Sequence, residues 1–190
     1  MQPVLARGPN FVYGRQFIRE TYGQKTWEQV IETLPDEADS VWSGPLLITG
    51  TYPFSAFKSM LGALTDVLGA RPEVETARMY SYIADQSLNS VYKFFFRFAQ
   101  PAFVISRYPI LWQRFFTSGR VDVPFARAGN ARLEFTLPEI FLDWIRPACL
   151  GYSTKAISLS GGSGLEMEDL ETSRRADGEW RIAYQLTWQE

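Results

Sequence analysis

Asn10-Phe11-Val12-Tyr13-Gly14-Arg15-Gln16-Phe17-Ile18-Arg19-Glu20-Thr21-Tyr22-Gly23-Gln24-Lys25-Thr26-Trp27-Glu28-Gln29-Val30-Ile31-Glu32-Thr33-Leu34 is the stretch from which the rest of the chain is read. Tyr13, Phe17 and Ile18 recur on one face, which predicts a helix from Asn10 to Tyr22, and Gly23 supplies its C-terminal stop. Thr26-Trp27-Glu28-Gln29 has capping-box spacing. Trp27, Val30, Ile31 and Leu34 then follow at i, i+3, i+4 and i+7, so a second helix opens there. Pro35 ends it, and Asp36 to Gly50 reads as a loop with an acidic patch.

Further along, Pro53 opens a helix whose stripe is Phe54, Phe57, Leu61, Leu64 and Leu68, with Gly69 as its stop. A long helix is expected from about Glu73 to Ala99. Two proline-opened helices follow, Pro101 to Tyr108 and Pro109 to Phe116. After Gly119 the period drops to two: Arg120 to Phe125 and Ala131 to Thr136 form a hairpin around Ala128-Gly129-Asn130. Pro138 to Ser160 favours helix through Ile140, Leu142, Trp144 and Ile145, although Pro147 and Gly151 interrupt the pattern. By pattern alone, Thr154 to Ser160 is strand or helix. The last strand alternates Trp180, Ile182, Tyr184, Leu186 and Trp188 against polar neighbours. The fold class is therefore α+β in a single domain, with a helical part over 9–117 and a mixed part over 118–190.

The 190 residues suffice for one real core, and 46% hydrophobic with 21% charged residues is ordinary for it. Aromatics are abundant, at 6 Trp, 9 Tyr and 14 Phe, so either the core is unusually ring-rich or some rings line a pocket. A net charge of −2 gives no global pull toward nucleic acid or an anionic membrane. The uncharged stretch Ser40 to Phe57 is broken by glycines and prolines, so no membrane span is expected. The start lacks a secretory pattern, and the single Cys149 excludes an internal disulfide, so a cytoplasmic location is expected. The chain has no histidine. That removes Ser-His-Asp and Cys-His triads and nitrogen ligation of zinc or haem.

Gly14-Arg15-Gln16-Phe17-Ile18, Tyr22-Gly23 and Thr26-Trp27-Glu28 resemble the opening of the haem-nitric-oxide/oxygen-binding (H-NOX) domains. Tyr52-Pro53 through Val67-Leu68-Gly69 resembles the helix that follows there. The tail, Gly161-Gly162 to Thr172, then Gly178-Glu179 and the strand ending in Trp188, is similar to 4-vinyl-reductase-type domains and related transport-complex subunits. Tyr92 to Phe98, Pro101-Ala102-Phe103-Val104 and Trp112 resemble a bacterial family multiplied in social bacteria, a likeness that implies fold rather than activity. The resemblance implies an H-NOX-like layout with Gly151 to Ser160 helical. It also exposes departures. Aligning the family's haem-ligand helix on Pro101-Ala102-Phe103 puts Leu111 or Trp112 where the histidine belongs, and no Tyr-x-Ser-x-Arg clamp occurs. The tail cysteines of the vinyl-reductase type match positions near Arg174 and Ile182, so the implied cofactor set is none.

On that layout the candidate ligand-binding residues are Phe17, Met79, Ile83, Phe103, Leu111 and Trp112. They would surround a space that is either plugged by Leu111 and Trp112 or open to a small apolar ligand. The run Tyr92 to Phe98 reads as a helix buried on more than one face, or as pocket lining. Arg97, Arg107 and Arg114 could form an anion surface, though surface ion pairs or stacking on rings is the plainer reading. Gly161-Gly162-Ser163-Gly164 lacks the Lys-Ser/Thr of a P-loop and reads as a turn. Glu166, Glu168 and Asp169 suggest a solvated strand face before a cation site. Cys149 reads as a small buried hydrophobe before an acylation site. The expected function is a haem-free sensory or ligand-binding domain for a small apolar ligand in bacterial signalling. The alternative is a dimerising or partner-docking interaction module with a filled cavity. No spacing singles out an acid–base pair, so enzyme activity is not expected.

Overall fold

Strand β1 (Leu5–Arg7) pairs antiparallel with β2 (Thr51–Pro53), Ala6 opposite Tyr52, a small ribbon the periodicity did not announce. The computed structural model describes residues 3–96 and 99–190, with the side chains of 89–96 outside the description. The expectation for the Tyr92 to Phe98 rings and for Arg97 therefore lies outside the described residues.

Helix α1 (Gly8–Thr21) carries Pro9 in its first turn and buries Phe11, Phe17 and Ile18. Helix α2 (Gln24–Glu32) begins two residues before the expected capping box. Gly23, at φ +89°, turns the chain directly into it, and the Thr26 hydroxyl donates back to the Tyr22 carbonyl at 2.9 Å instead of capping. The expected loop after Pro35 is in part helix α3 (Asp36–Trp42). Asp36, Glu37 and Asp39 occupy its first turn, where carboxylates complement the exposed amides and the helix dipole. The Trp42 indole fastens it by donating to the Ala56 carbonyl at 2.9 Å.

Helix α4 (Phe54–Leu68) runs from Pro53 to a left-handed Gly69, as the pattern predicts. It leads to α5 (Pro72–Phe96), then α6 (Pro101–Ser106) and α7 (Tyr108–Phe115), which are split at Arg107. Strands β3 (Arg120–Arg127) and β4 (Asn130–Leu137) form the expected hairpin, with Gly129 at φ +69° in its turn. After a short 3-10 turn at Glu139–Phe141, α8 (Leu142–Leu159) continues straight through Pro147. Thr154 to Ser160 is thus helical to Leu159, as the family resemblance implies.

Strands β5 (Ser163–Arg174) and β6 (Trp180–Gln189) complete an antiparallel sheet of order β3-β4-β6-β5. In β6, Ile182, Tyr184 and Leu186 are buried in unbroken register with β4; Trp188 is buried just beyond it, its amide donating to the Gly129 carbonyl at 3.0 Å, while Trp180 at the strand's start is only half-buried. Edge strand β5 exposes Glu166, Glu168 and Asp169, and its ladder slips beside Leu170. Among the described residues no helix is long and apolar enough to cross a membrane.

Candidate functional site

Helix α7 supplies the site's first wall. Tyr108, Leu111, Trp112 and Phe115 fall at i, i+3, i+4 and i+7, so one buried stripe faces α8 and the sheet. Helix α8 answers with Trp144, Ile145, Ala148, Cys149 and Tyr152, also buried. Between them, flanked by Tyr80 of α5 and Phe135 of β4, lies a cavity of about 50 Å³ walled by apolar surface alone. Around it the rings nearly touch: Trp112 to Phe116 at 4.4 Å between centroids, Phe54 to Phe141 at 4.6 Å, and Tyr80 to Trp144 at 4.9 Å.

Only two of the six residues expected at the site, Leu111 and Trp112, line this cavity. Phe17, Met79 and Ile83 are buried in the neighbouring layer. There Phe17 packs on Tyr22 and Tyr82, and Met79 lies under Gly14. Phe103 requires a correction. It is 51% exposed, because the six-residue helix α6 turns Val104 and Ile105 inward and leaves Phe103 outside. The Arg107 guanidinium sits 4.5 Å from its ring centre, the stacking role that the plainer reading gave these arginines. The rings that the sequence reading missed, Tyr80, Tyr108, Phe115, Phe116, Phe135, Trp144 and Tyr152, include Tyr108 and Phe115 on the helical stripe of Leu111, and Trp144 and Tyr152 on the facing stripe of α8. Helical spacing was the signal that could have found them.

Most polar atoms next to the cavity satisfy one another; the exception is the buried Trp144 indole Nε1, which has no hydrogen-bond partner. The Tyr108 and Ser153 hydroxyls share a short hydrogen bond, and the Cys149 Sγ lies 3.8 Å from Ser153 Oγ. Tyr152 meets Ser87 at 3.4 Å. Tyr80 donates to Asn10 Oδ1 at 2.7 Å, and the Asn10 amide donates to the Phe115 carbonyl at 2.7 Å. Burial pushes the Cys149 thiol and the Tyr152 phenol each up to about 12, and raises Tyr80 and Tyr108 well above the usual phenol range. All four stay protonated and neutral at ordinary pH. The space can therefore hold something small and uncharged, and its walls offer that guest no charge.

Elsewhere, Asp169 of the acidic strand face pairs with Arg146 at 2.8 Å. Among the described residues no group of three or more His, Cys, Asp or Glu side chains is placed to hold a metal ion. The Gly161-Gly162 segment is a turn, with Gly161 at φ +94°.

No protein-family model matches the sequence, and no curated protein matches it. Solved structures do. An unliganded Fe(II) H-NOX protein from K. algicida superposes with a TM-score of 0.70 at 13% identity, over 97% of each chain. An oxygen-binding H-NOX domain related to soluble guanylate cyclases gives 0.71 at 11% identity, over 97% of this chain and 95% of that one. A variant H-NOX from T. tengcongensis gives 0.69 at 9% identity, over 97% and 98%. At these identities the likeness is one of architecture: the chain has an H-NOX-like α+β fold.

Proposed function

We propose that this chain is a haem-free sensory or ligand-binding domain whose ligand is small and apolar. The observation that carries the reading is the apolar cavity of about 50 Å³ between α7, α8, α5 and β4, lined by buried side chains. An apolar void of roughly 150 Å³ stays dry and takes up benzene or xenon. A third of that volume suits a single small guest such as a rare-gas atom or a diatomic.

Haem does not fit the residues present. The sequence has no imidazole, and Leu111 and Trp112 are buried against the cavity. The Cys149 thiol beside it is held protonated. Pockets for drug-sized ligands run to about 300–1,000 Å³, and a porphyrin is no smaller than such ligands. The wall groups are neutral, so binding would be read out as a shift of α7 against α8 and not as bond-making.

The test is xenon binding followed by NMR chemical shifts of the intact chain. Xenon should perturb methyl groups of Leu111, Ile145 and Ala148 saturably, and Leu111→Ala should admit benzene as well. Shifts spread over the surface, with none at these methyls, would overturn the reading. Exposed Phe103 and Ile110 favour the second reading, an interaction module. It predicts self-association by sedimentation that Ile110→Ser abolishes.

A further inference from the structure

Every described wall residue of the cavity between α7 and α8 is buried, so a guest reaches it only past a side chain. Most of those side chains are held in place. The Trp112 indole donates to the Ser118 carbonyl at 3.0 Å, and the Tyr108 hydroxyl is bonded to Ser153. Tyr80 is fixed through Asn10, and Tyr152 meets Ser87. Phe116 and Trp144 sit locked among the rings of Phe54 and Phe141, with centroids 4.6 to 5.7 Å apart. Leu111 has no such tie. Its aliphatic side chain forms no hydrogen bond and no ring pair, and at 8% exposure it is the most exposed of the walls.

Open space borders Leu111 as well. A groove of about 380 Å³ shares Leu111 and Phe115 with the cavity, and Pro9, Tyr13, Ile48 and Gln113 are among its other walls. Backbone contacts fix the groove's shape. Ala6 bridges antiparallel to Phe116, and the Thr117 amide and hydroxyl donate to the Leu5 carbonyl at 3.3 and 3.1 Å. The Asn10 amide donates to the Arg7 carbonyl at 3.3 Å and to the Phe115 carbonyl at 2.7 Å, clamping α7 to the start of α1. The turn that carries Ile48 is tied to α1 by the Gly8 amide, which donates to the Gly50 carbonyl at 2.8 Å. In a close-packed interior a side chain changes rotamer only where there is room to receive it. Leu111 has that room in the groove. Phe115, one turn further on, has its ring against Tyr152 at 5.8 Å.

We propose that Leu111 is the gate of the cavity and that the groove is its vestibule. The Leu111 side chain swings into the groove, a small uncharged guest passes, and the side chain returns behind it. The inference rests on the reading of the cavity as a ligand site and adds the route by which that site fills. Such a gate sets how fast a guest exchanges and leaves its affinity alone, because the gate is closed both before and after binding.

Xenon saturation-transfer NMR on the full chain measures exchange, while methyl shifts of Ile145 and Ala148 measure affinity. Ile48→Trp and Gln113→Trp each place a ring in the groove from an exposed position, away from the cavity walls. At least one of them should slow exchange about tenfold at unchanged affinity, as expected when Leu111 must move off its rotamer well. Leu111→Ala should speed exchange. Unchanged exchange in both groove variants, with xenon still bound, would place the entrance elsewhere and overturn the gate alone. Affinity falling in step with rate would make the groove part of the binding site and overturn the gate too. Absence of saturable shifts at Ile145 and Ala148 in the unaltered chain would overturn the cavity reading, and the gate with it.

Discussion

Gly151 of α8 lies directly on the Ala77 carbonyl of α5: a β-carbon built on Gly151 would stand 2.0 Å from that oxygen. The neighbour is backbone and cannot step aside as a flexible side chain would. The two helices approach this closely only because residue 151 has no side chain. Gly151→Ala should push α8 off α5 and cost about 1–3 kcal/mol, with Gly151→Val worse. Urea unfolding midpoints would measure the loss. A neutral Gly151→Ala would mean that the helices are not so tightly joined.

Asn10 is fully buried, with its oxygen accepting from the Tyr80 hydroxyl and its amide donating to the Arg7 and Phe115 carbonyls. Asn10→Leu strands the hydroxyl and at least one carbonyl without water, at about 2–4 kcal/mol. Tyr80→Phe removes only one bond and should cost about 1 kcal/mol. Equilibrium denaturation of both variants should return that order.

Alkaline pH should unfold the protein from within. Cys149 rises from 9.0 to about 12 and Tyr152 from 10.0 to about 12 on burial. The folded state thus holds protons that the unfolded chain releases first, so stability is intact below about pH 9 and falls as pH climbs toward 12. Cys149→Ala should flatten that decline in thermal melts across pH 8–12, a window set by the same linkage. Thiol reagents at pH 8 should modify Cys149 only as fast as the chain opens, because the reactive thiolate is suppressed.

Haem offered to the purified protein should give no stoichiometric Soret band, and the protein should purify colourless. A one-to-one band, persisting after gel filtration, would contradict the haem-free reading.

The parts of this architecture written in local pattern were legible. The Pro53-to-Gly69 helix, the Gly129 hairpin and the alternation of β6 follow from spacing and turn chemistry, which act over a few residues. Helix α3 was not legible, because seven residues with three early acids read as a polar loop until Trp42 finds its partner on α4. Pro147 and Gly151 looked like breaks in α8. They are tolerated because packing on α5, which no local window contains, outweighs propensity. Leu111 and Trp112, which line the cavity, came from the family layout aligned on Pro101-Ala102-Phe103 and not from a local pattern. Phe103 was misplaced because a proline-opened helix of six residues has too few positions to fix its phase.

The clamp on Asn10 also sets an order of events. Its Phe115 partner lies 105 residues downstream. At synthesis rates of roughly 5–20 residues per second, that carbonyl comes into existence about 5–20 s after the amide meant for it. Helix α1 has 14 residues, near the length at which an isolated helix is marginal in water, so until then it depends on the rings of Trp42, Tyr52 and Phe57 that pack on Phe11. The buried amide of Asn10 therefore waits, seconds after its helix has neighbours, for the carbonyl that completes its hydrogen bonding.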